Sequence, residues 1–173
     1  GKDNETFLQQ AKASGLFKSV AYPGVFLPVT ELMQQRKTLP RGIIGLNRCP
    51  FFAHLDNPMM QSYIRIYQEK FGKDDYPDDF ACMYADSLNA LDQAVTRAAT
   101  VETEAVRKAL TGATVDTCRG KLPLRDCNNQ LDAYSYVGEV VDTPDYPFPI
   151  FNPKTMILVK GHEVWVPTCD EVR

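Results

Sequence analysis

Three helical segments follow one another in the middle of the chain without an intervening strand, and this succession constrains the fold more than any other feature. The segments span residues 55–72, 77–99 and 102–112. In the first, Pro58 follows a capping residue, Asp56 or Asn57. Gly72 and Gly112 stand where helices usually end. Because an apolar helix face must be buried against another layer, these helices predict a flank laid on a sheet whose strands lie elsewhere.

The second helical segment carries its larger apolar residues on one stripe, at spacings of three and four. These residues are Phe80, Met83, Tyr84, Leu88, Leu91 and Val95, with Ser87 among them. Residues at this spacing share one face of a helix, so the pattern predicts an amphipathic helix. Cys82 lies beside the stripe and is interpreted as a small buried apolar residue.

Strand patterns lie on either side of the helical stretch. Residues 19–22 predict a short strand that ends in a Pro-Gly break, and the apolar run 42–46 is typical of a buried parallel strand. After Gly112, residues 121–125 alternate, 133–141 are rich in β-formers, and 155–167 predict a hairpin turning at Gly161. The chain is therefore predicted to be α/β, with too few strands to cover its helices.

Composition and charge exclude some classes of partner. The chain has 173 residues, enough for one domain or two small lobes, and a formal net charge of -3 with no long run of like charge. That balance argues against nucleic acid as the partner. No apolar run approaches the ~20 residues that span a bilayer, and the first residues do not resemble a signal peptide. Because a chain that opens on Gly1 is expected to be a processed or a trimmed product, this says nothing about its compartment. Five cysteines favour an oxidising compartment.

The residues that usually carry chemistry do not form recognisable motifs. The chain has two histidines, His54 and His162, and no C-x-x-C pair, so no metal site or cofactor is predicted. No G-x-S-x-G motif occurs, and nothing in the sequence makes Cys82 a nucleophile. We therefore predict no catalytic residue and no enzymatic activity.

Four aromatic residues suggest a ligand site instead. Tyr22, Phe26, Phe51 and Phe52 each lie just beyond a predicted strand, in loops that contain proline. The sheets of α/β proteins place ligands in such loops. Aromatic side chains at these positions also serve as ordinary core anchors, and the residues alone leave the two roles equally open.

Seven stretches, in order and at matching spacing, resemble one family. They read FLQQAKASGLF, PRGIIGLNRCPF, NPMMQSYIRIYQEKFG, PDDFACMYADSLNALDQAV, ETEAVRKALTG, TCRGKLPLRDCNNQ and YSYVGEVV. Together they resemble the solute-binding proteins of branched-chain-amino-acid-type ABC transporters, the type I periplasmic binding proteins. The resemblance implies two Rossmann-like α/β lobes, of which this chain supplies about the C-terminal half. Residues 1–47 would belong to lobe two, 48–120 to the helical flank of lobe one, and 121–173 to hinge strands and the end of lobe two.

The resemblance also implies a function. Such a protein is a periplasmic or extracellular receptor, exported with a signal peptide, that closes over a small ligand and delivers it to the membrane permease of an ABC importer. The N-terminal half of the same protein would complete the cleft. A ligand-sensing regulatory or receptor domain of the same fold is the alternative. Nothing in the resemblance implies a cofactor.

The loop after the first predicted strand reaches the cleft in this family, and amino-acid binders carry there an acid that holds the ligand's ammonium group. The predicted ligand-binding residues are Tyr22, Gly24, Val25, Phe26, Phe51 and Phe52. Residues 22–26 contain no acid. The predicted ligand is therefore amino acid-like, an amide or an aromatic acid, and the missing acid favours the last two.

The cysteines are assigned on the same resemblance. It makes residues 121–125 one extended strand whose hairpin partner is 134–141. At ~3.3 Å per residue, Cys118 and Cys127 could then lie up to ~30 Å apart, whereas a disulfide needs Cα atoms within roughly 7 Å. The resemblance therefore favours a disulfide between Cys127 and Cys169, pinning the end of the chain.

Overall fold

The computed structural model describes residues 2–164 and 169–172. The helices are α1 (Lys2–Ala13), α2 (Val29–Gln34), α3 (Pro58–Phe71), α4 (Asp79–Ala98), α5 (Thr103–Leu110) and α6 (Cys169–Val172). The strands are β1 (Pro23–Phe26), β2 (Ile44–Asn47), β3 (Thr114–Thr117), β4 (Gly120–Pro123), β5 (Ser135–Val141), β6 (Ile150–Phe151) and β7 (Ile157–Val159). This mixture confirms the predicted α/β class. Among the described helices, none is both long and apolar enough to cross a membrane.

The chain divides into two compact units. Unit one consists of residues 1–47 and 136–158, and unit two of residues 48–135 and 159–173. The sequence prediction also placed a boundary after residue 47, but it assigned residues 121–135 to the hinge strands and lobe two, the lobe predicted for residues 1–47. In the structure these residues pack in unit two, because β4 pairs with β3 and Leu124 forms a bridge with Leu131. The assignment of the units to the lobes of a whole protein remains a prediction.

Unit one is built on a mixed sheet with the strand order β1-β2-β5-β6, with β7 also paired to β5. β1 and β2 are parallel, whereas β5 runs antiparallel to both β2 and β6. α1 and α2 bury their apolar residues Leu8, Ala11, Val29 and Leu32. α2 therefore stands in the connection between the parallel strands β1 and β2, as expected of an α/β unit.

Two facing glycines let large side chains lie against this sheet. Gly45 on β2 is directly opposite Gly138 on β5. A Cβ atom added to Gly45 would lie 2.6 Å from Leu27, and one added to Gly138 would lie 2.6 Å from the Cβ of Phe151. Leu27 and Phe151 are both fully buried. Because neither glycine has a side chain, the buried Leu27 and Phe151 can pack directly against the backbone of the sheet.

Unit two is mostly helical. α4 packs against α5 and β3, and its core contains Ala90, Val115 and Leu124, with Leu110 and Leu131 against them. Helix ends follow the predicted punctuation: the Asn57 side chain accepts a hydrogen bond from the Met59 amide at the start of α3, and Gly72 ends that helix. Among the described residues, the strands that pack in this unit form a single two-stranded sheet, β3-β4.

Two sequence expectations about strands were wrong in detail, and a third falls partly outside the described residues. The first strand is β1 rather than 19–22, because Pro23 has no amide to donate and is tolerated at the start of an edge strand. The partner of β4 is β3 rather than 134–141, because a tight turn at Cys118 and Arg119 closes a local hairpin. A 3-10 turn at Gly161–Glu163 follows β7. The rest of the second arm of the predicted hairpin, 165–167, lies outside the described residues.

Candidate functional site

The parallel strands of unit one end at a common edge. β1 ends at Phe26 and β2 at Asn47, and the carboxyl ends of parallel strands are where α/β sheets bind ligands. The Leu27 amide donates to the Leu46 carbonyl over 2.8 Å, and the buried Asn47 amide side chain donates to the Leu27 carbonyl over 2.9 Å. These bonds fix the edge, which presents Phe26 with 36% of its surface exposed.

Tyr22 lies at the other end of β1. Its ring packs against Phe7 and Phe17, with centroid distances of 5.4 and 5.8 Å. Tyr22 also lines a recess of about 370 Å³ together with Lys18 and Arg41. The structure therefore separates Tyr22 from Phe26 by the length of the strand, although the sequence prediction placed them in one loop.

Gly24 and Val25, the next predicted ligand residues, lie inside β1 rather than in a loop. The pairing register between β1 and β2 shifts between Pro23 and Val25, as in a β-bulge. Such irregularities bend a strand locally and are common beside binding sites. The backbone here is thus irregular at the position where the sequence predicted a break.

Phe51 and Phe52 belong to unit two. They form a 3-10 turn after Pro50, and their rings meet edge to face at 5.5 Å. The Phe51 ring stacks on Tyr76 at 4.8 Å and is fully buried. In this structure both rings fill the interior of unit two, which is the anchoring role that the sequence left open; their contact with a ligand stays a prediction.

A buried ion pair that the sequence analysis missed organises one end of unit two. Arg119 Nε lies 2.7 Å from Asp86 Oδ2, with 3% and 1% of the two side chains exposed. Asp86 Oδ1 accepts from the Cys118 amide over 2.6 Å, and Arg119 Nη1 donates to the Arg48 carbonyl over 3.4 Å. The Asn57 side chain donates to the Cys118 carbonyl over 3.0 Å. The β3-β4 turn is thereby held against α3, α4 and the segment after β2.

Titratable groups around this ion pair are held in their neutral forms. Burial, and then the positive charge of Arg119, lower the pKa of His54 to about 4. Burial, and then the Asp86 carboxylate, raise the pKa of the Cys118 thiol to about 12. Burial likewise raises the pKa of Tyr63 to about 12. A thiol with so high a pKa is not a nucleophile at neutral pH.

Four of the five cysteines are joined in pairs. Cys127 and Cys169, the predicted pair, are bonded with their Cα atoms 5.6 Å apart. Cys49 and Cys82 form a second disulfide with Cα atoms 6.4 Å apart, so the interpretation of Cys82 as an unbonded apolar residue was wrong. Only a tertiary contact brings these two cysteines together, and spacing alone cannot choose among the possible pairings of five cysteines.

The disulfides also bear on metal binding. Among the described residues, two groups place three potential ligands within 4.8 Å of one another: Cys49, Cys82 and Asp86, and Asp126, Cys127 and Cys169. In each group both sulfurs are already joined to each other. Because a metal needs the thiolate form, neither group offers a metal site in this oxidised state.

Comparison with known proteins assigns the family. The family model described as periplasmic binding protein matches residues 1–144. No curated protein matches the chain.

Solved structures share the fold. The chain is similar to an amino acid ABC transporter substrate-binding protein from Pseudomonas fluorescens Pf-5, with 13% identity and a TM-score of 0.76 over 99% of this chain and 44% of that one. It is similar to the leucine-, isoleucine-, valine-, threonine- and alanine-binding protein from Brucella ovis, with 18% identity and a TM-score of 0.70 over 96% and 43%.

A third structure adds a bound ligand. It is a solute-binding protein of an ABC transporter from Rhodopseudomonas palustris BisB5 in complex with 3,4-dihydroxybenzoic acid, with 16% identity and a TM-score of 0.63 over 94% of this chain and 43% of that one. The chain thus spans less than half of the length of these three structures. At these identities the likeness establishes the fold.

Proposed function

This chain belongs to the periplasmic binding protein family, and from that membership we propose that it is part of an extracytoplasmic solute-binding receptor that serves an ABC importer. The observation that carries the proposal is the family match over residues 1–144. The two disulfides support a periplasmic or extracellular location, because disulfides persist in oxidising compartments. The further partners would be the importer's membrane permease and the remaining half of the same protein.

The receptor would work by hinge closure around a small organic ligand. Contacts that a ligand makes with both lobes stabilise the closed state and shift its population. No bond is made or broken in this cycle. The closed form would then present the ligand to the permease.

For this chain we propose that Tyr22, Gly24, Val25, Phe26, Phe51 and Phe52 line the site. Phe26 has the strongest support, because it stands exposed at the carboxyl edge of the parallel strands. The segment from Tyr22 to Phe26 contains no acid, so a ligand ammonium group would find no partner there. Burying an unpaired charge is costly, which favours an amide or an aromatic acid over a zwitterionic amino acid. The dihydroxybenzoic acid in the Rhodopseudomonas palustris structure shows that this fold accommodates an aromatic acid.

The proposal is tested with the full-length protein in a thermal-shift screen against branched-chain amino acids, small amides and aromatic acids. A ligand at 100 times its Kd stabilises the protein by about 2.7 kcal/mol and raises its melting temperature. Phe26→Ala should lose most of that increase while the unliganded melting temperature changes little. Leu16→Ala is the matched control, because Leu16 is 38% exposed in the same unit.

Two outcomes would contradict the proposal. If no ligand class raises the melting temperature of the wild-type protein, the chain is not part of a receptor for these solutes. If ligands stabilise the protein but Phe26→Ala and Leu16→Ala respond alike, the receptor remains and the placement of its site at the β1 edge fails.

A further inference from the structure

Three cysteines and one carboxylate gather in the interior of unit two. Among the described residues, Cys49 Sγ, Cys82 Sγ and a carboxylate oxygen of Asp86 all lie within 4.8 Å of one another. The Cys118 thiol donates a hydrogen bond to the same carboxylate. At most 1% of each of these residues is exposed. We call them the thiol cluster: Cys49, Cys82, Asp86 and Cys118.

Three elements bring the thiol cluster together. Cys82 and Asp86 lie four residues apart on α4, so they share one face of the helix. The paired ligands of helical zinc motifs have the same spacing. Cys49 lies just after the end of β2, and Cys118 lies in the turn between β3 and β4. The cluster is therefore assembled only when unit two is folded.

The Asp86 carboxylate is oriented in the way that metal-ligating carboxylates are. Its Oδ1 accepts from the Cys118 amide over 2.6 Å, and its Oδ2 accepts from Arg119 Nε over 2.7 Å. A carboxylate offers about four acceptor positions, so positions remain for a cation. Hydrogen bonds from an outer shell fix the orientation of metal ligands in this way. The Arg119 guanidinium also offsets the negative charge that several thiolates would bring to a buried site.

The Cys49–Cys82 disulfide decides whether the two sulfurs are available. A metal ion binds thiolates, and in the oxidised protein these sulfurs are bonded to each other. A water-soluble phosphine breaks that bond: two thiols form, water supplies their two protons, and the phosphine becomes its oxide. The sulfurs then need a separation of about 3.8 Å, which bonds of about 2.3 Å impose in a tetrahedral zinc site. Because the Cα atoms are 6.4 Å apart, rotation of the side chains suffices.

We propose that the thiol cluster binds one Zn²⁺ ion when the Cys49–Cys82 disulfide is reduced. Three thiolates and a carboxylate supply the four ligands of a closed tetrahedral site, and thiolates select Zn²⁺ over Mg²⁺ and Ca²⁺. Binding releases the thiol protons, because a coordinating thiol is deprotonated. The disulfide bond and the metal ion are thus alternative states of the same two sulfurs.

Cobalt substitution in the full-length protein tests the proposal. Co²⁺ takes the place of Zn²⁺, and its bonds to thiolates give a charge-transfer absorption in the near ultraviolet. The parent protein is the double variant Cys127→Ser, Cys169→Ser, which removes the second pair of sulfurs. It is reduced with the phosphine in the absence of oxygen. Co²⁺ is added both to the native protein and during refolding from urea, so that burial of the cluster does not block its entry.

The reduced, folded parent should develop the thiolate band with one Co²⁺ per protein, and Zn²⁺ should abolish it. Cys118→Ser should lower the band by about a third, because two of the three thiolates remain. The same change should weaken Zn²⁺ binding, measured against a chromophoric chelator, by at least about tenfold. Asp92→Asn is the matched control, because Asp92 is an exposed acid on the same helix; it should leave both measurements unchanged.

Three results would overturn the proposal. The first is the absence of a thiolate band in the reduced parent, whether native or refolded. The second is a band that Cys118→Ser leaves unchanged. The third is a band of equal strength in the reduced parent in urea, since unfolded chains can also bind metals through cysteine and the site would then not depend on the fold.

X-ray absorption of the reduced wild-type full-length protein covers the case in which a variant does not fold. At one equivalent of Zn²⁺ the site with three thiolates fills before one with two. The spectrum should then report three sulfurs at about 2.3 Å and one oxygen at about 2.0–2.2 Å from the metal. Fewer than three sulfurs would contradict the proposal. Failure of the ligand screen would leave these measurements unchanged, so the two proposals fail separately.

Discussion

The buried ion pair between Asp86 and Arg119 offers a sharp test of how unit two is held together. Arg119→Met keeps the apolar stem of the side chain and removes its charge. Asp86 then keeps its hydrogen bond from the Cys118 amide, but its other oxygen loses the guanidinium 2.7 Å away. Both side chains are almost completely buried. Removing one member of such a pair leaves a buried charge without a partner and lowers the free energy of unfolding by about 3–5 kcal/mol.

The assay is urea unfolding of the full-length protein, followed by circular dichroism. With a slope near 2 kcal/mol/M, the transition that involves unit two should move by roughly 1.5–2.5 M. Arg65→Met is the matched control, because Arg65 and Glu69 form an ion pair of 3.0 Å on α3 with 62% of each side chain exposed. An exposed pair contributes about 0.2–1 kcal/mol, so the control should move the midpoint by less than about 0.5 M.

A double variant isolates the reason for the loss. In Asp86→Leu combined with Arg119→Met no buried charge is left without a partner, so the double variant should be no less stable than Arg119→Met alone. Two results would refute the reasoning. One is a loss of stability in Arg119→Met no larger than that in Arg65→Met. The other is a double variant whose loss of stability equals the sum of the losses in Asp86→Leu and Arg119→Met.

Three further predictions concern the two units separately. Gly138→Ala should destabilise unit one by about 1–3 kcal/mol, because the new Cβ meets the buried Phe151; an unchanged urea midpoint would contradict this. The pKa of His54 is about 4 in the folded protein and 6.5 in the unfolded chain, so between these pH values the unfolded state binds a proton that the folded state does not. The free energy of unfolding should therefore fall by up to about 3 kcal/mol as the pH is lowered from 6.5 to 4. His54→Gln should flatten that pH dependence, and an equal slope in both proteins would exclude His54 as its source. Replacing both Cys49 and Cys82 by alanine opens a loop of 33 residues and should lower the free energy of unfolding by about 3–4 kcal/mol. If a non-reducing peptide map of the wild-type protein lacks the Cys49–Cys82 peptide, the disulfide is absent and this prediction fails.

Local signals predicted the helices of unit two, because the capping residue, the terminal glycine and the apolar periodicity of a helix lie within a few residues of each other. Asn57 caps α3 and Gly72 ends it, as the sequence indicated. The same local reasoning misplaced the first strand, since it treated the Pro-Gly pair as a break. Proline is excluded from a central strand but tolerated at an edge, and whether a strand lies at an edge depends on the whole sheet.

The buried ion pair of unit two could not be predicted from the sequence, because Asp86 and Arg119 are distant along the chain. Asp86 and Arg119 are brought together only by tertiary packing, and a charged residue within an amphipathic helix is normally assigned to the solvated face. Cys49 and Cys82 pose the same problem. The Cys127–Cys169 pair was predictable only because the resemblance to a family argued against the alternative pair, Cys118 and Cys127.

The anchors on either side of residue 47 constrain the proposed hinge movement. Within unit one, the Asn47 side chain is fixed to the Leu27 carbonyl. Within unit two, Arg119 donates to the Arg48 carbonyl and Cys49 is bonded to α4 through Cys82. Each anchor belongs to a single unit, and the two sets are adjacent in sequence. Under the proposed mechanism, the sheet edge and the ion-pair network would each move as a part of its own unit.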